Sequence, residues 1–308
     1  MMPDGWIILD KPHGLGSTQA VAAVKRNLRE AGYGKGVKVG HGGTLDPFAT
    51  GVLPIAVGEA TKLCGRMLDA SKVYEFTICF GTETDTLDLE GKVLQEFDSV
   101  VGIVDDTDVE DVLCDFFGLI EQTPPAYSAI KVDGKRAYDL ARAGEEVSLK
   151  SRTVEIFSLD YGGSWWEAGK LYATLITHVS KGTYIRSLAR DIALALGTVG
   201  HVTMLRRLKA GPFAIEQAIS LDKLNELGKG APLEHILLPL EAGLVDIPAL
   251  DLDPQQARLV RQGRVLSGLP QTNGLYWARA GTVPVALMEV SSGEAKVVRG
   301  FNLSDVAE

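Results

Sequence analysis

Cysteine is scarce in this chain: three among 308 residues, at Cys64, Cys79 and Cys114, with no CxxC. So few, so widely spaced and odd in number, they argue against a disulfide framework and offer no thiolate cluster for structural zinc. The five histidines are scattered, with no HExxH, so no metal site is expected. No apolar stretch approaches the roughly 18 residues of a membrane-spanning helix. Met1-Met2-Pro3-Asp4 has no basic n-region and Trp6–Leu9 gives only four consecutive apolar residues, so no secretory signal is expected. The glycine-rich stretch 32–51 contains neither GxxxxGK(S/T) nor a strand–GxGxxG–helix unit, which speaks against a P-loop or a dinucleotide fold. These absences lead us to expect a reduced, cytoplasmic protein that works without metal or cofactor.

An excess of positive charge is also missing, since the formal net charge is −9. The deficit is local, however. Residues 71–122 carry two basic and fourteen acidic side chains, whereas 123–215 carry thirteen basic and eight acidic ones. Net charge therefore does not exclude a nucleic acid partner, although each block alone could be no more than a solvated face.

The length predicts about two domains. Gly5–Asp10 predicts a short strand, and Ser17 a helix cap followed by an apolar face of Val21, Val24 and Leu28, with Gly32 as the stop. Val73–Phe80 alternates, with Tyr74, Phe76, Ile78 and Phe80 on one face, as a half-buried strand does. Arg152–Tyr161 and Leu171–Ser180 also predict strands, and Arg186–Leu196 a helix. The polar segment 123–150, opened by prolines, suggests an insertion or flap. Pro248 and Pro254 bracket a connector, beyond which three short apolar runs suggest a small β-barrel. Strands without regular βαβ alternation favour an α+β catalytic region over 1–247 and a small β-rich domain over 248–308.

The densest chemical segment is Val39-Gly40-His41-Gly42-Gly43-Thr44-Leu45-Asp46-Pro47. Asp46 there could be an Asx-turn or a helix N-cap, or a carboxylate on a loop whose glycines let a ligand approach. Ser180-Lys181-Gly182-Thr183-Tyr184-Ile185-Arg186 follows an alternating strand and opens a helix. An arginine forking onto Asp46 would keep that carboxylate ionised, but spacing does not bring the two together. Tyr74 is equally consistent with a core tyrosine. Leu205-Arg206-Arg207-Leu208 suits either a surface helix or a phosphate contact.

The segment GHGGTLDPFATGVLPIAVGEATK (40–62) resembles the catalytic-loop motif of the TruB family, the bacterial tRNA pseudouridine-55 synthases. Leu9–Gly14 (LDKPHG) is similar to the family's N-terminal element and Lys72-Val73-Tyr74 to its K-x-Y motif. Gln122–Lys131 resembles the start of its thumb loop, and SKGTYIR (180–186) and HVTMLRRL (201–208) complete the set in family order. One departure is Gly42-Gly43, where many members carry a bulkier residue at the first position.

The resemblance implies a pseudouridine-synthase fold with a mixed, mainly antiparallel sheet, a thumb-like insertion at about 123–152 and a small PUA-like C-terminal domain. It implies Asp46 as the catalytic aspartate and Arg186 as its partner. Tyr74 would stack on the target uracil and serve as a late base, Tyr184 and Leu205 would line the pocket, and His41 would help displace the target base. The partner would be the T arm of tRNA, modified at position 55 by a chain acting as a monomer. Exchanging a C1′–N1 bond for a C1′–C5 bond needs no cofactor. Asp46 could attack the base or the sugar, or deprotonate C2′. The basic segment 123–215 would meet the RNA while acidic 71–122 faced away, and the C-terminal domain would assist binding without joining the chemistry. A non-catalytic RNA-binding protein of the same fold, or a member modifying another RNA, are the alternatives.

Overall fold

The computed structural model of the chain describes residues 3–303 other than 103, 129, 133 and 144–148. Parts of the expected insertion and the last five residues therefore lie outside the described residues. In chain order the first elements are β1 (Gly5–Lys11), α1 (Ser17–Glu30), β2 (Val39–His41), β3 (Thr50–Val57), α2 (Cys64–Asp69) and β4 (Lys72–Phe80). They are followed by β5 (Thr82–Thr84), β6 (Val93–Glu96), α3 (Asp106–Val112), β7 (Gly118–Gln122), β8 (Lys131–Val132), β9 (Lys135–Arg136) and α4 (Ala137–Arg142). Next come β10 (Arg152–Glu167), β11 (Lys170–Val179), α5 (Ile185–Ala195), β12 (Gly200–Ala210), β13 (Phe213–Ala214) and α6 (Leu221–Gly228). The chain ends in β14 (Ala249–Asp251), α7 (Pro254–Arg261), β15 (Leu266–Ser267), β16 (Gly274–Ala280), β17 (Val283–Ser291) and β18 (Glu294–Gly300).

One sheet runs β1-β3-β12-β4-β11-β10-β7, with β2 on β3 and β13 on β12. Every pairing in it is antiparallel except β3 with β12. The fold is thus the mixed, mainly antiparallel α+β architecture expected. The parallel contact brings Thr50 and Gly51 beside Arg206 and Arg207, and it is very close. A β-carbon on Gly51, whose φ is +100°, would lie 2.2 Å from the Arg207 carbonyl oxygen. Strand β12 can therefore abut the outlet of the Asp46 loop only because the second residue of β3 is a glycine.

Both faces of the sheet are covered near β1 and β3. One face buries Ile7, Leu9, Leu53, Ile55, Phe76, Ile78 and Phe80 against Val24 and Leu28 of α1 and Leu188 and Ile192 of α5. The other buries Trp6, Ile8, Val52, Ala56 and Phe213. Strands covered on both faces lose the simple alternation that a half-exposed strand shows, which is why β1 and β3 are nearly continuous apolar runs.

The three apolar runs expected after 248 are β16, β17 and β18, and two shorter strands extend them into a sheet of order β14-β16-β17-β18-β15. Helix α7 begins as its sequence suggests. The Asp253 carboxylate accepts from the Gln256 amide, Gln256 reciprocates, and Pro254 takes the first turn. This sheet is not a loosely tethered appendage. Leu287 and Phe301 belong to the same buried cluster as Trp6 and Phe213. The Lys62 ammonium donates to the Gly300 carbonyl at 2.8 Å, the Asn302 amide donates to the Glu59 carboxylate at 2.6 Å, and Arg66 pairs with Asp246. Ending the chain near Asp246, which the sequence suggests would leave the catalytic region whole, would bare that cluster.

Phe301→Ala should cost about 3 kcal/mol or more of global stability, because it empties a buried aromatic site between the two sheets. For a chain of this size that lowers Tm by roughly 5 °C in calorimetry. Val298→Ala, at an exposed position on the strand that leads into Phe301, should stay within about 0.5 kcal/mol. Equal losses from both would show that the second sheet does not share the core.

Candidate active site

Asp46 lies on the loop between β2 and β3, and that loop is held from below by buried groups. The Ser17 hydroxyl accepts from the Leu45 amide at 2.9 Å and donates to the Leu45 carbonyl at 2.8 Å. Ser17 is therefore not the helix cap that its position suggests; Gly16 is the cap residue, and the Ser17 side chain is turned into the loop. Lys11, fully buried, donates to the carbonyls of Pro12, Leu15 and Pro47 at 3.0, 2.7 and 3.2 Å. Arg207, only 1% exposed, donates through Nε to the Val52 carbonyl at 2.7 Å, through Nη1 to Thr44 at 3.1 Å and through Nη2 to Gly43 at 3.4 Å. Arg207 lies on a strand, not on a surface helix, and its guanidinium holds backbone carbonyls of the loop and of β3.

Two glycines make this loop possible. A β-carbon on Gly42 would meet the Met67 β-carbon at 2.6 Å, and Gly43 has a φ of +136°. The bulkier residue common in the family at position 42 is excluded here because Met67 of α2 fills that space.

Arg186, in the first turn of α5, reaches the loop from the opposite wall. Its Nη2 lies 2.8 Å from Asp46 Oδ2 and donates to the Tyr127 carbonyl at 3.1 Å. Its Nη1 lies 3.3 Å from Asp88 Oδ2 and donates to the Thr86 carbonyl at 2.8 Å. The fork does not close bidentately on Asp46 but is shared between two carboxylates and two carbonyls, with the guanidinium 7% exposed. Asp88 is itself oriented, accepting from the Thr86 hydroxyl at 2.5 Å and the Glu90 amide at 3.0 Å. Between them Leu87 adopts a φ of +62°, a conformation costing about 1–3 kcal/mol for a branched residue. That twist turns the Thr86 carbonyl and the Asp88 carboxylate toward the same guanidinium.

Tyr74 on β4 and Leu205 on β12 line the cleft, with Tyr184 and Ile185 at the start of α5 opposite them. Tyr184 is fixed by buried Gln122, whose side chain accepts from its amide at 2.7 Å and donates to its carbonyl at 3.1 Å. The Arg152 guanidinium lies 4.8 Å above the Tyr184 ring centre. The cleft encloses about 910 Å³, ample for a nucleotide.

His41 is the predicted site residue that the structure does not bring into the cleft lining. It sits half-buried on β2, its Nδ1 accepting from the Gly43 amide at 3.4 Å. Burial, helped by the charge of Arg207, lowers its pKa below the ordinary value. The acidic block also departs from expectation. Asp85, Asp88 and Glu90 line the cleft instead of facing away from it. Asp88, Arg207 and Ser17 are residues for which sequence reasoning found no role at this site. The clue for Asp88 was the density of Thr and Asp in Thr84–Asp88, a composition that ties side chains to a twisted backbone.

With this geometry in place, comparison with known proteins is direct. Residues 28–185 match the family described as TruB family pseudouridylate synthase (N terminal domain). Residues 186–245 match the tRNA pseudouridylate synthase B C-terminal domain. The chain belongs to the TruB family of pseudouridylate synthases. It is 73% identical to the tRNA pseudouridine synthase B of Novosphingobium aromaticivorans over the full length of both chains. Against the protein of the same name from Zymomonas mobilis identity is 56%, over 97% of this chain and 96% of the other. Among solved structures, a chain of an H/ACA ribonucleoprotein bound to a substrate RNA containing 2′-deoxyuridine superposes with a TM-score of 0.71 at 25% identity, over 98% of this chain and 86% of that one.

Burial lowers the ammonium groups of Lys11 and of Lys72 on β4 to about 8, with the nearby charge of Arg207 adding to the effect in both. In the unfolded chain each holds its proton up to about 10.5. Between about pH 8 and 10.5 the unfolded state therefore binds more protons, and folding gains stability as pH rises. Lys11→Met should flatten the rise between pH 8 and 10 by at most about 1.4 kcal/mol per pH unit, read from urea midpoints. An unchanged slope would mean that Lys11 is not held in this way.

Proposed function

We propose that the chain converts uridine 55 in the T loop of tRNA to pseudouridine, with Asp46 as the essential carboxylate. The observation that carries the assignment of roles is the ion pair of Asp46 with buried Arg186 at 2.8 Å, in a cleft that Tyr74 and Leu205 line. The target nucleotide leaves its stack, at a cost of a few kcal/mol, and enters this cleft. Tyr184 and Leu205 wall the base, and Tyr74 stacks on it. Asp46 then acts at the base, at the sugar or at the C2′ proton, so that the C1′–N1 bond breaks. The freed base turns and C5 bonds to C1′. Tyr74 removes the C5 proton while N1 ends protonated, and the reaction balances as an isomerisation with no donor or acceptor.

Arg186 acts by position, holding the Asp46 carboxylate toward the cleft while Asp88 and two backbone carbonyls hold Arg186. His41 contributes from below, through the Gly43 amide, and meets RNA only at the rim. On this reading the chain acts as a monomer. With tRNA as its substrate, the protein works in the cytoplasm. The second sheet, beyond 248, extends the RNA-binding surface.

Asp46→Asn should fold, bind tRNA and form no pseudouridine, a loss of about 10³-fold or more in rate. The measurement is single-turnover conversion of total tRNA followed by mapping of the modified position. Substantial turnover by the variant would remove Asp46 from the mechanism. A product mapped elsewhere than the T loop would change the substrate while leaving the chemistry intact.

A further inference from the structure

Behind Tyr74 the main cleft opens into a smaller annex of about 140 Å³. The two share Thr44, Leu68, Tyr74, Gly182 and Thr183, so they are contiguous. Their charges are opposite in kind. The main cleft is lined by Asp46, Asp85, Asp88 and Glu90 against Lys92 and Arg186. The described residues that line the annex include Lys72 and Arg207, three hydroxyls (Thr44, Ser180, Thr183) and no carboxylate.

Among the described residues neither cation is in an ion pair, although the charge of Asp69 acts on Lys72. Lys72 is 8% exposed, and its ammonium donates to the carbonyls of Met67, Leu68 and Ala70 at 3.2, 2.7 and 2.5 Å. Arg207 donates only to carbonyls, and a guanidinium with five N–H groups and three such bonds keeps donors in hand. Burying an ion costs several kcal/mol, and carbonyl dipoles offset that cost without cancelling the charge. The result is an electropositive recess one aromatic ring away from the place where the target uracil sits. At about 30 Å³ per water molecule the annex holds a few waters, or one tetrahedral oxyanion, but not a nucleoside.

We propose that this annex is a phosphate subsite that receives a backbone phosphodiester next to the target uridine. The inference rests on the functional reading above, because the RNA strand must already present its uridine to Asp46. An acid-lined cleft suits a neutral base and repels the phosphates on either side of it. A cationic recess beside it gives one of them a place, and so sets how deeply the nucleotide enters. Leu68, half-exposed at the junction of the two cavities, has its backbone fixed by Lys72 and separates the base from the phosphate.

The test uses the full chain and a T-arm RNA hairpin carrying a single methylphosphonate, moved linkage by linkage past the target uridine. With the unaltered protein, one linkage adjoining the target should raise Kd about tenfold when neutralised and reduce the salt slope of binding by about one. With Lys72→Gln, the same neutralisation should change Kd less than twofold. If no single linkage matters, or if Lys72→Gln is as sensitive as the unaltered protein, the subsite is overturned. The linkage scan alone decides the matter should Lys72→Gln not fold. Inorganic phosphate is the second probe. If it displaces the hairpin while no linkage matters, the recess takes free anions and the proposal fails. Pseudouridine formation in unmodified tRNA is followed in parallel. Its absence would sink the functional reading, whereas its presence with a flat linkage scan would sink the subsite alone.

Discussion

Two buried cations with no buried acid of their own organise this molecule. Lys11 and Arg207 point at the underside of the Asp46 loop, and carbonyl oxygens are their hydrogen-bond acceptors. Charge-assisted bonds to carbonyls are stronger than neutral ones, and a cation left without them would be severely destabilising. The loop carbonyls of Gly43, Thr44 and Pro47 are therefore committed inward. A loop whose carbonyls face in presents its remaining polar group, the Asp46 carboxylate, outward to the cleft. The close approach at Gly51, the parallel pairing of β3 with β12 and the space Met67 takes beside Gly42 all serve this one arrangement.

The part of this legible in the sequence was the part with a period or a motif. Strand β4 alternates, α5 repeats its apolar residues every four, and the family motifs single out Asp46, Tyr74, Arg186, Tyr184 and Leu205, all of which line the cleft. Illegible were the side chains that act on distant backbone. Nothing local distinguishes a Ser17 that caps its helix from one that grips Leu45, because the partner lies 28 residues away. Arg207 suits a surface helix or a phosphate contact equally well for the same reason. Its neighbours in sequence are apolar on one side and basic on the other, while its acceptors belong to another strand and a loop. Burial of a charged group is a property of the assembled fold.

The acidic block misled for a different reason. A count over residues 71–122 treats fourteen carboxyls as one field, yet the structure divides them. Asp105 caps α3 on the surface, while Asp88 turns inward through the Leu87 twist to share Arg186 with Asp46. Two carboxylates on one guanidinium make a stiffer site than a simple pair. Arg186 cannot follow Asp46 outward without giving up Asp88, the Thr86 carbonyl and the Tyr127 carbonyl. The thumb segment thus reaches the Asp46–Arg186 pair through a backbone atom, the Tyr127 carbonyl.

The distribution of charge around the cleft suits what the proposed function brings into it. A uracil ring is neutral, and its ribose is neutral, so carboxylates close to them cost little and supply the acceptors the chemistry needs. A phosphodiester is not neutral, and at short range it would pay for every carboxylate it approached. The strand must therefore bend away from Asp85 and Glu90 as the base goes in, which suits a nucleotide taken out of its stack better than one read within a helix. An acid-lined cleft in an RNA-binding enzyme is consistent on these terms. It admits bases, resists backbone, and leaves the affinity for RNA to cations placed around it.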